Sequence, residues 1–194
     1  MTTSFAIGRD LESGTATAPR SALGRITGGP LQLLSWLESQ LGLELPEVSF
    51  TARMVPYLNC LKEQGGDGRF YAESMRQDEF GVARTLLQWR DTWYEAGWEG
   101  DGFDVNDSTR LLDMGTVEGL AAADVSPGVG QRVQRVTKAL AEAQVDVSLS
   151  LLDPIDVFPK VWRQLFEVLG ATASQFELIP QCSGDSDLAV LQQR

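Results

Sequence analysis

The chain has 194 residues, 43% of them hydrophobic and 22% charged, which are the proportions of a folded globular domain rather than of a disordered chain. Its 27 acidic residues outnumber its 16 lysines and arginines, and the formal charge of −11 argues against an autonomous nucleic-acid-binding protein. No apolar run is long enough to cross a bilayer, residues 1–9 lack the basic and apolar regions of a secretory signal, and the two cysteines lie far apart. We therefore expect a cytoplasmic domain that has no contact with a membrane.

The first third of the chain predicts two short strands followed by a helix. Residues 5–7 form the first candidate strand, residues 13–20 are typical of a loop, and residues 23–26 form the second candidate strand. Pro30 suits the first turn of a helix, because its missing N–H needs no partner there. Helical spacing relates Leu31, Leu34, Leu37, Glu38 and Leu41. We expect this helix to be largely buried and to end at Gly42.

The middle of the chain predicts helices and few strands. Ser49 can cap a helix that runs through residue 61, with a kink at Pro56. Glycines at positions 65, 66 and 68 end it, a short helix over residues 69–77 follows, and Asp78 caps another helix that runs to residue 96. Two adjacent faces of that last helix are apolar: Val82, Leu86, Trp89 and Trp93 on one, Phe80, Ala83, Leu87 and Tyr94 on the other. A helix that is apolar over so much of its surface packs on two sides.

A polar, acidic loop over residues 99–108 precedes two further helices. Leu111 and Leu112 begin a short helix, and Ser126 with Pro127 begins the next. The inner face of this second helix carries Val129, Val133, Val136 and Leu140.

The final third predicts a strand, a helix and a second strand. Residues 145–151 alternate between apolar and polar side chains, which is typical of a strand. Asp153 or Asp156 can cap the following helix, which carries Val157, Val161, Leu165, Val168 and Leu169 and ends at Gly170. Residues 176–179 then form a strand that Pro180 ends. Because a βαβ unit has a right-handed crossover, these two strands are expected to be parallel neighbours.

These elements predict an α/β fold with a small parallel sheet, a C-terminal βαβ unit and a large helical insertion. Residues 1–194 form a single domain in this interpretation, and residues 46–143 form its mainly helical insertion. No internal repeat is visible.

Two acidic segments were considered as metal sites. Asp101, Asp104 and Asp107 have the wrong spacing for a calcium-binding loop, which also needs a central Gly and a distal Glu. The segment 184–187, which contains Asp185 and Asp187, fits the cap of a terminal helix better than a metal site. We therefore expect no bound metal.

Nucleophilic catalysis is not expected either. The chain contains no histidine, so a Ser–His–Asp triad is excluded, and Cys60 lies among apolar helical positions where a small buried side chain is the simpler interpretation. Trp89, Trp93 and Trp98 could stack on nucleic-acid bases, but their spacing and the net charge favour packing in the core. We predict no catalytic and no cofactor-binding residues.

The segment from Leu23 to Leu34 joins a strand to a helix, which is the position of the phosphate-binding loop in P-loop proteins. Such a loop needs a lysine and a Ser or Thr hydroxyl to bind phosphate and magnesium. The segment keeps glycines but lacks both groups. We therefore predict that it neither binds ATP tightly nor hydrolyses it.

Residues 24–43 resemble the N-terminal region of inactivated superfamily I helicases that carry a PD-(D/E)XK nuclease, which are similar to the AddB subunit of the AddAB and RecBCD helicase–nucleases. The same pattern continues in order through Phe70-Tyr71, Ala83–Asp91 with its Arg90-Asp91 pair, Ala96-Gly97-Trp98 and residues 184–191. The resemblance implies a degenerate P-loop helicase domain with a helical insertion, serving DNA repair, recombination or genome defence. The nuclease signature of that family, an acidic-x-Lys motif, has no counterpart in this sequence.

Two functional hypotheses follow. In the first, the chain is a non-catalytic N-terminal domain with a scaffolding role towards other domains or a helicase subunit. In the second, it is a stand-alone acidic protein-interaction module with no role on DNA. Arg132, Arg135 and Lys138 offer roughly three phosphate contacts on one helix, so DNA binding by the chain alone is expected to be weak. Trp98 and Phe103, on either side of acidic residues, are the expected protein contacts.

Overall fold

A small open parallel sheet forms the base of the fold in the computed structural model, which describes residues 2–13, 24–104 and 106–173. Its strands are β1 (Thr3–Ile7), β2 (Arg25–Gly28), β3 (Val147–Leu151) and the two-residue β4 (Thr172–Ala173). They lie in the order β2-β1-β3-β4, and every neighbouring pair is parallel. The prediction of an α/β fold with a small parallel sheet is confirmed.

Seven helices make up most of the described chain. They are α1 (Pro30–Leu41), α2 (Phe50–Glu63), α3 (Ala72–Gln77), α4 (Glu79–Glu95), α5 (Thr109–Asp124), α6 (Val129–Leu140) and α7 (Lys160–Val168). Two short 3₁₀ turns cover Arg9–Ser13 and Ile155–Val157. Within the described residues, no helix is both long and apolar enough to span a bilayer.

The sheet buries one face against three helices. Phe5 is in register with Ile26 on β2 and Leu149 on β3, and because side chains alternate along a strand these residues share a face. Side chains of α1, α6 and α7 pack on this face and complete the first hydrophobic core, which includes Leu33, Leu34, Leu37, Val133, Val136, Val161, Leu165 and Phe166. These helices therefore set the position of the carboxyl ends of the strands.

A second hydrophobic core lies within the helical region. It joins α2, α4 and α5 with the segment before α3, and contains Tyr57, Leu58, Leu61, Tyr71, Ala83, Leu87, Met114 and Val117. Helix α4 contacts α2 as well as α6, which confirms that it packs on two sides. Helix α6 lies within the segment predicted as an insertion, yet its Val133 and Val136 belong to the first core.

Most predicted helix ends are confirmed because each has a local cause. The Ser49 hydroxyl accepts a hydrogen bond from the Ala52 N–H, and the Asp78 carboxylate accepts one from the Gly81 N–H. Gly42 ends α1 in the left-handed conformation, with a φ of 65°. Pro56 lies inside α2, which continues past it to Glu63.

Several boundaries differ from the prediction. Helix α5 has 16 residues and is not short, and β2 begins at Arg25 rather than at residue 23. Helix α7 begins after its N-cap residue Pro159, so neither Asp153 nor Asp156 caps it. Asp153 precedes the 3₁₀ turn before the helix, and Asp156 lies within that turn. The fourth strand begins at Thr172.

Other predictions differ in the burial of α1 or in the start of a helix, and some concern residues outside the described part of the chain. Helix α1 is less buried than expected, since Leu31 is 40% exposed. Helix α3 begins at Ala72, three residues after the predicted start, while α6 begins three residues after Ser126. The predicted strand at residues 176–179, the segment 184–187 and most of the loop at residues 13–20 lie outside the described residues.

Candidate functional site

The carboxyl ends of β1 and β3 form the natural place for a ligand in this fold. From β1 the chain continues to β2 at one edge of the sheet, whereas from β3 it continues to β4 at the opposite edge. In open parallel sheets, ligands bind in the crevice at such a reversal of strand order. The segment from Leu23 to Leu34 leads into this edge, because β2 ends at Gly28 and α1 starts at Pro30.

Hydrogen bonds between the chain's own groups close this edge. The Gly8 N–H donates to the Gly28 carbonyl at 3.2 Å, and the Leu152 N–H donates to the Ile7 carbonyl at 2.8 Å. The Arg9 N–H donates to Asp153 Oδ2 at 2.6 Å. The amides of Gly8 and Arg9, which could have met an anion beyond β1, therefore already have partners.

The N-terminus of α1 holds a carboxylate of the same chain. Gly29 is the N-cap residue and has no side chain to accept the free amides of the first turn. The Glu12 carboxylate takes this place and accepts a hydrogen bond from the Leu31 N–H. A helix N-terminus attracts anions, and here the anion comes from the 3₁₀ turn after β1.

The edge is consequently acidic rather than suited to phosphate. Glu12 lies at the start of α1 and Asp153 lies beyond β3, and each already binds a backbone N–H of this edge. No lysine occurs between Leu23 and Leu34. A polyphosphate at this edge would have to displace Glu12 and would gain no lysine contact in return.

A buried ionic network lies between the two cores. Arg90 is completely buried and binds the Glu118 carboxylate through Nε at 2.5 Å and through Nη2 at 2.7 Å. It also donates to Gln131 Oε1 at 3.0 Å, and its guanidinium lies 5.1 Å from the ring centre of Tyr94. The Tyr94 hydroxyl donates to Glu118 at 2.8 Å. These contacts tie α4, α5 and α6 together.

Burial dominates the protonation of the tyrosines in and beside this network. Desolvation raises the pKa of the Tyr94 hydroxyl, and its hydrogen bond to Glu118 raises that pKa further. Desolvation likewise raises the pKa of Tyr57, against the opposing effect of the Arg90 charge. Both hydroxyls therefore stay protonated at neutral pH.

Further ion pairs join neighbouring elements. Arg53 on α2 binds Asp91 on α4 through both guanidinium ends, at 2.7 and 2.6 Å. The Arg69 guanidinium donates to Asp113 on α5 at 2.7 Å. Arg90 and Asp91 are neighbours in sequence, but each binds a partner on a different helix because adjacent residues on a helix point in different directions.

The basic patch expected on α6 is largely neutralised. The Arg132 guanidinium binds Glu38 on α1 at 2.8 and 2.6 Å, and Lys138 Nζ lies 2.9 Å from a Glu99 oxygen. Of the three candidate cations only Arg135 makes no ion pair among the described residues. Helix α6 therefore has less positive charge to offer DNA than its sequence suggests.

The three tryptophans on and just after α4 divide into two groups. Trp93, Trp98 and Phe103 form a half-buried cluster in which the rings of Trp98 and Phe103 stack with centroids 5.5 Å apart. Trp98 and Phe103, expected to contact protein, thus pack largely on each other. Trp89 was predicted to lie in the core but is 36% exposed, because it lies outside the face of α4 that carries Leu86, Leu87 and Arg90. It stacks on Phe70, with centroids 6.4 Å apart.

The remaining candidate residues take part in core packing or in local hydrogen bonds. Cys60 is buried, as predicted, and burial raises the pKa of its thiol. Asp104 and Asp107 accept hydrogen bonds within their own turn. Among the described residues, no group of three or more His, Cys, Asp or Glu side chains is arranged to hold a metal ion.

No protein-family model matches the chain, and no curated protein matches it.

Proposed function

We propose that the chain is a non-catalytic N-terminal domain of a helicase–nuclease-like protein, similar to the AddB subunit, with a scaffolding role in DNA repair, recombination or genome defence. Its partners are other domains or a helicase subunit, and its P-loop position is degenerate. One observation carries the proposal: Glu12 fills the anion position at the start of α1, where a nucleotide phosphate would bind in an active relative.

Charge and hydrogen bonding both disfavour a nucleotide at the start of α1. A phosphate-binding loop presents free amides at a helix N-terminus and adds a lysine that neutralises the phosphates. Here the Glu12 carboxylate binds the first turn of α1, and the segment from Leu23 to Leu34 contains no lysine. Both differences disfavour a polyanion at the same place.

The ion pairs support a scaffolding role. The Arg90–Glu118 pair, the Arg53–Asp91 pair and the Glu38–Arg132 pair connect helices that are distant in sequence. Such contacts restrain the positions of these helices relative to one another. A rigid arrangement suits a domain that holds other parts of an assembly in place.

Calorimetric titration of the chain with Mg-ATP tests the nucleotide part of the proposal. We expect no saturable heat of binding for the wild type. Glu12→Gln removes the charge at α1, and Glu44→Gln is the matched control because Glu44 is exposed. We expect neither variant to bind ATP, since the lysine is still missing. Micromolar binding by the wild type, or its appearance in Glu12→Gln, would mean that the site is functional or merely masked.

Fluorescence anisotropy with labelled single- and double-stranded DNA tests the expectation of weak DNA binding. The net charge of −11 repels phosphates, and two of the three cations predicted on α6 are paired with carboxylates. We expect no submicromolar binding at physiological salt. Tighter binding that is lost in Arg135→Ala would reveal a DNA-binding face that the charge argument overlooks.

The second candidate, a stand-alone protein-interaction module with no DNA role, is favoured by exposed aromatic side chains. Phe80 and Trp89, both on α4, are 52% and 36% exposed. The reading frame that encodes the chain separates the two candidates. A frame that continues into an acidic-x-Lys nuclease motif favours the first, and a frame without one favours the second.

A further inference from the structure

An aromatic groove runs beside α4, where α3 packs against it. The groove has a volume of about 550 Å³, which lies within the range of ligand-binding clefts. Its lining includes Phe70, Tyr71, Val82, Thr85, Leu86 and Trp89. Trp89 and Phe70 stack at one end, and Asp78 lies at the other end, where it caps α4.

The length of the groove limits what it can hold. Asp78 and Trp89 are eleven positions apart along α4, and a helix rises 1.5 Å per residue, so the groove extends for about 16 Å. This length equals about three turns of a second helix lying beside α4.

The two ends of the groove differ in charge. The Asp78 carboxylate is exposed at one end. At the other end the Arg110 guanidinium lies 6.0 Å from the ring centre of Phe70. Other charged side chains near α3 neutralise one another: Arg76 pairs with Glu73 and Asp67, and Lys62 pairs with Glu79. The groove is therefore negative at the start of α4 and positive near Phe70.

We propose that this groove binds an amphipathic helix of about three turns from a partner protein. Apolar residues on one face of that helix lie against Phe70, Val82 and Trp89. A Lys or Arg of the partner faces Asp78, and an Asp or Glu faces Arg110. The inference rests on the proposed scaffolding role, because a scaffold needs a protein partner.

Charge favours this occupant over two others. A second copy of the chain and a nucleic acid are both negative, and the net charge of −11 repels each of them. The negative net charge of the chain attracts a partner segment with a basic residue. Aromatic side chains such as Trp89 are the usual anchors of protein contacts.

A synthetic peptide tests the proposal by fluorescence anisotropy with the full chain. The peptide has about 14 residues, leucines at helical spacing on one face, two lysines at one end and two glutamates at the other. A first control peptide has serines in place of the leucines. A second has all its lysines and glutamates replaced by glutamine, so it keeps the apolar face and loses the charge. We expect saturable binding of the test peptide and binding about tenfold weaker for each control peptide.

Variants of the chain place the peptide in the groove. Trp89→Ala weakens binding by about tenfold or more, whereas Val168→Ala, an exposed apolar residue on α7, leaves it unchanged. Asp78→Asn keeps the helix cap, because Asn caps as well as Asp, but it weakens binding and reduces its salt dependence. Asp156→Asn removes the same charge elsewhere and has no effect. Circular dichroism confirms that each variant is folded.

Failure of the test peptide to bind would overturn the proposal, and so would any of the following results. The first is equal binding of the charged and the glutamine peptide, or no loss of affinity in Trp89→Ala. The second is self-association in sedimentation that Trp89→Ala abolishes, since a second copy would then fill the groove. The third is binding of a single-stranded oligonucleotide that depends on Trp89. Failure of the peptide to bind would leave the ATP and DNA tests of the proposed function unaffected, so the two proposals can fail separately.

Discussion

The buried pair of Arg90 and Glu118 is the contact whose loss should destabilise the fold most. Both side chains are almost completely excluded from water, with exposed fractions of 0% and 3%, and two hydrogen bonds join them. Glu118→Ala leaves the Arg90 charge buried without a carboxylate. The residual contacts to Gln131 and to the Tyr94 ring do not neutralise that charge.

The expected magnitude follows from the burial of the pair. Removing one partner of a buried ion pair destabilises a protein by about 3–5 kcal/mol, which is a large part of a typical folding free energy of about 5–15 kcal/mol. For a chain of this size, a loss of about 4 kcal/mol lowers the Tm by roughly 10 °C. Replacing both residues in Arg90→Met/Glu118→Leu removes both charges together, so this double variant should recover most of the lost stability.

Equilibrium unfolding in urea, followed by circular dichroism at pH 7, measures these differences as shifts of the midpoint. Glu99→Gln is the matched control, because it also removes the carboxylate of an ion pair between side chains distant in sequence, but the Lys138–Glu99 pair is largely exposed, at 69% and 55%. We expect no measurable shift for this control. If Glu118→Ala unfolds at the same urea concentration as Glu99→Gln, or if the double variant is less stable than Glu118→Ala, the reasoning from burial is refuted.

Three further predictions concern single positions. Gly130→Ala should destabilise the chain by about 1–3 kcal/mol in urea unfolding, because a Cβ there would lie 2.6 Å from the Glu95 backbone nitrogen. Gly119→Ala on α5 is the control: its Cβ meets no atom within 4 Å, so it should stabilise the chain by about 0.5–1 kcal/mol. Burial and the Asp91 carboxylate raise the pKa of Glu95, so this group favours folding at low pH and that contribution is lost as the pH rises through its folded pKa. Glu95→Gln should therefore raise the Tm at pH 7 and have no effect below about pH 4, and a Tm difference independent of pH would contradict this. Cys60 should resist alkylation in the folded chain and react only after unfolding, as mass spectrometry of its peptide would show, because burial raises the pKa of its thiol.

The elements themselves were largely readable from the sequence, because their causes are local. Ser49 and Asp78 accept hydrogen bonds from amides three residues ahead, and Gly42 adopts a left-handed conformation that few other residues adopt. Alternation of apolar and polar residues predicts β3. The missing lysine in the segment from Leu23 to Leu34 is likewise a local property.

The pairing of charges and the exposure of aromatic rings were decided by the tertiary structure alone. Arg90 is adjacent to Asp91 in sequence, yet it binds Glu118, 28 residues away, because helix packing buries it against α5. Glu12 fills the start of α1 only because the strands bring the turn after β1 beside Gly29. Trp89 lies on an apolar stripe of α4 that sequence assigns to the core, but α2 and α6 cover other sides of the helix and leave this ring at the surface. Periodicity tells which residues share a face of a helix, whereas only the positions of the neighbouring helices determine which of those faces is buried.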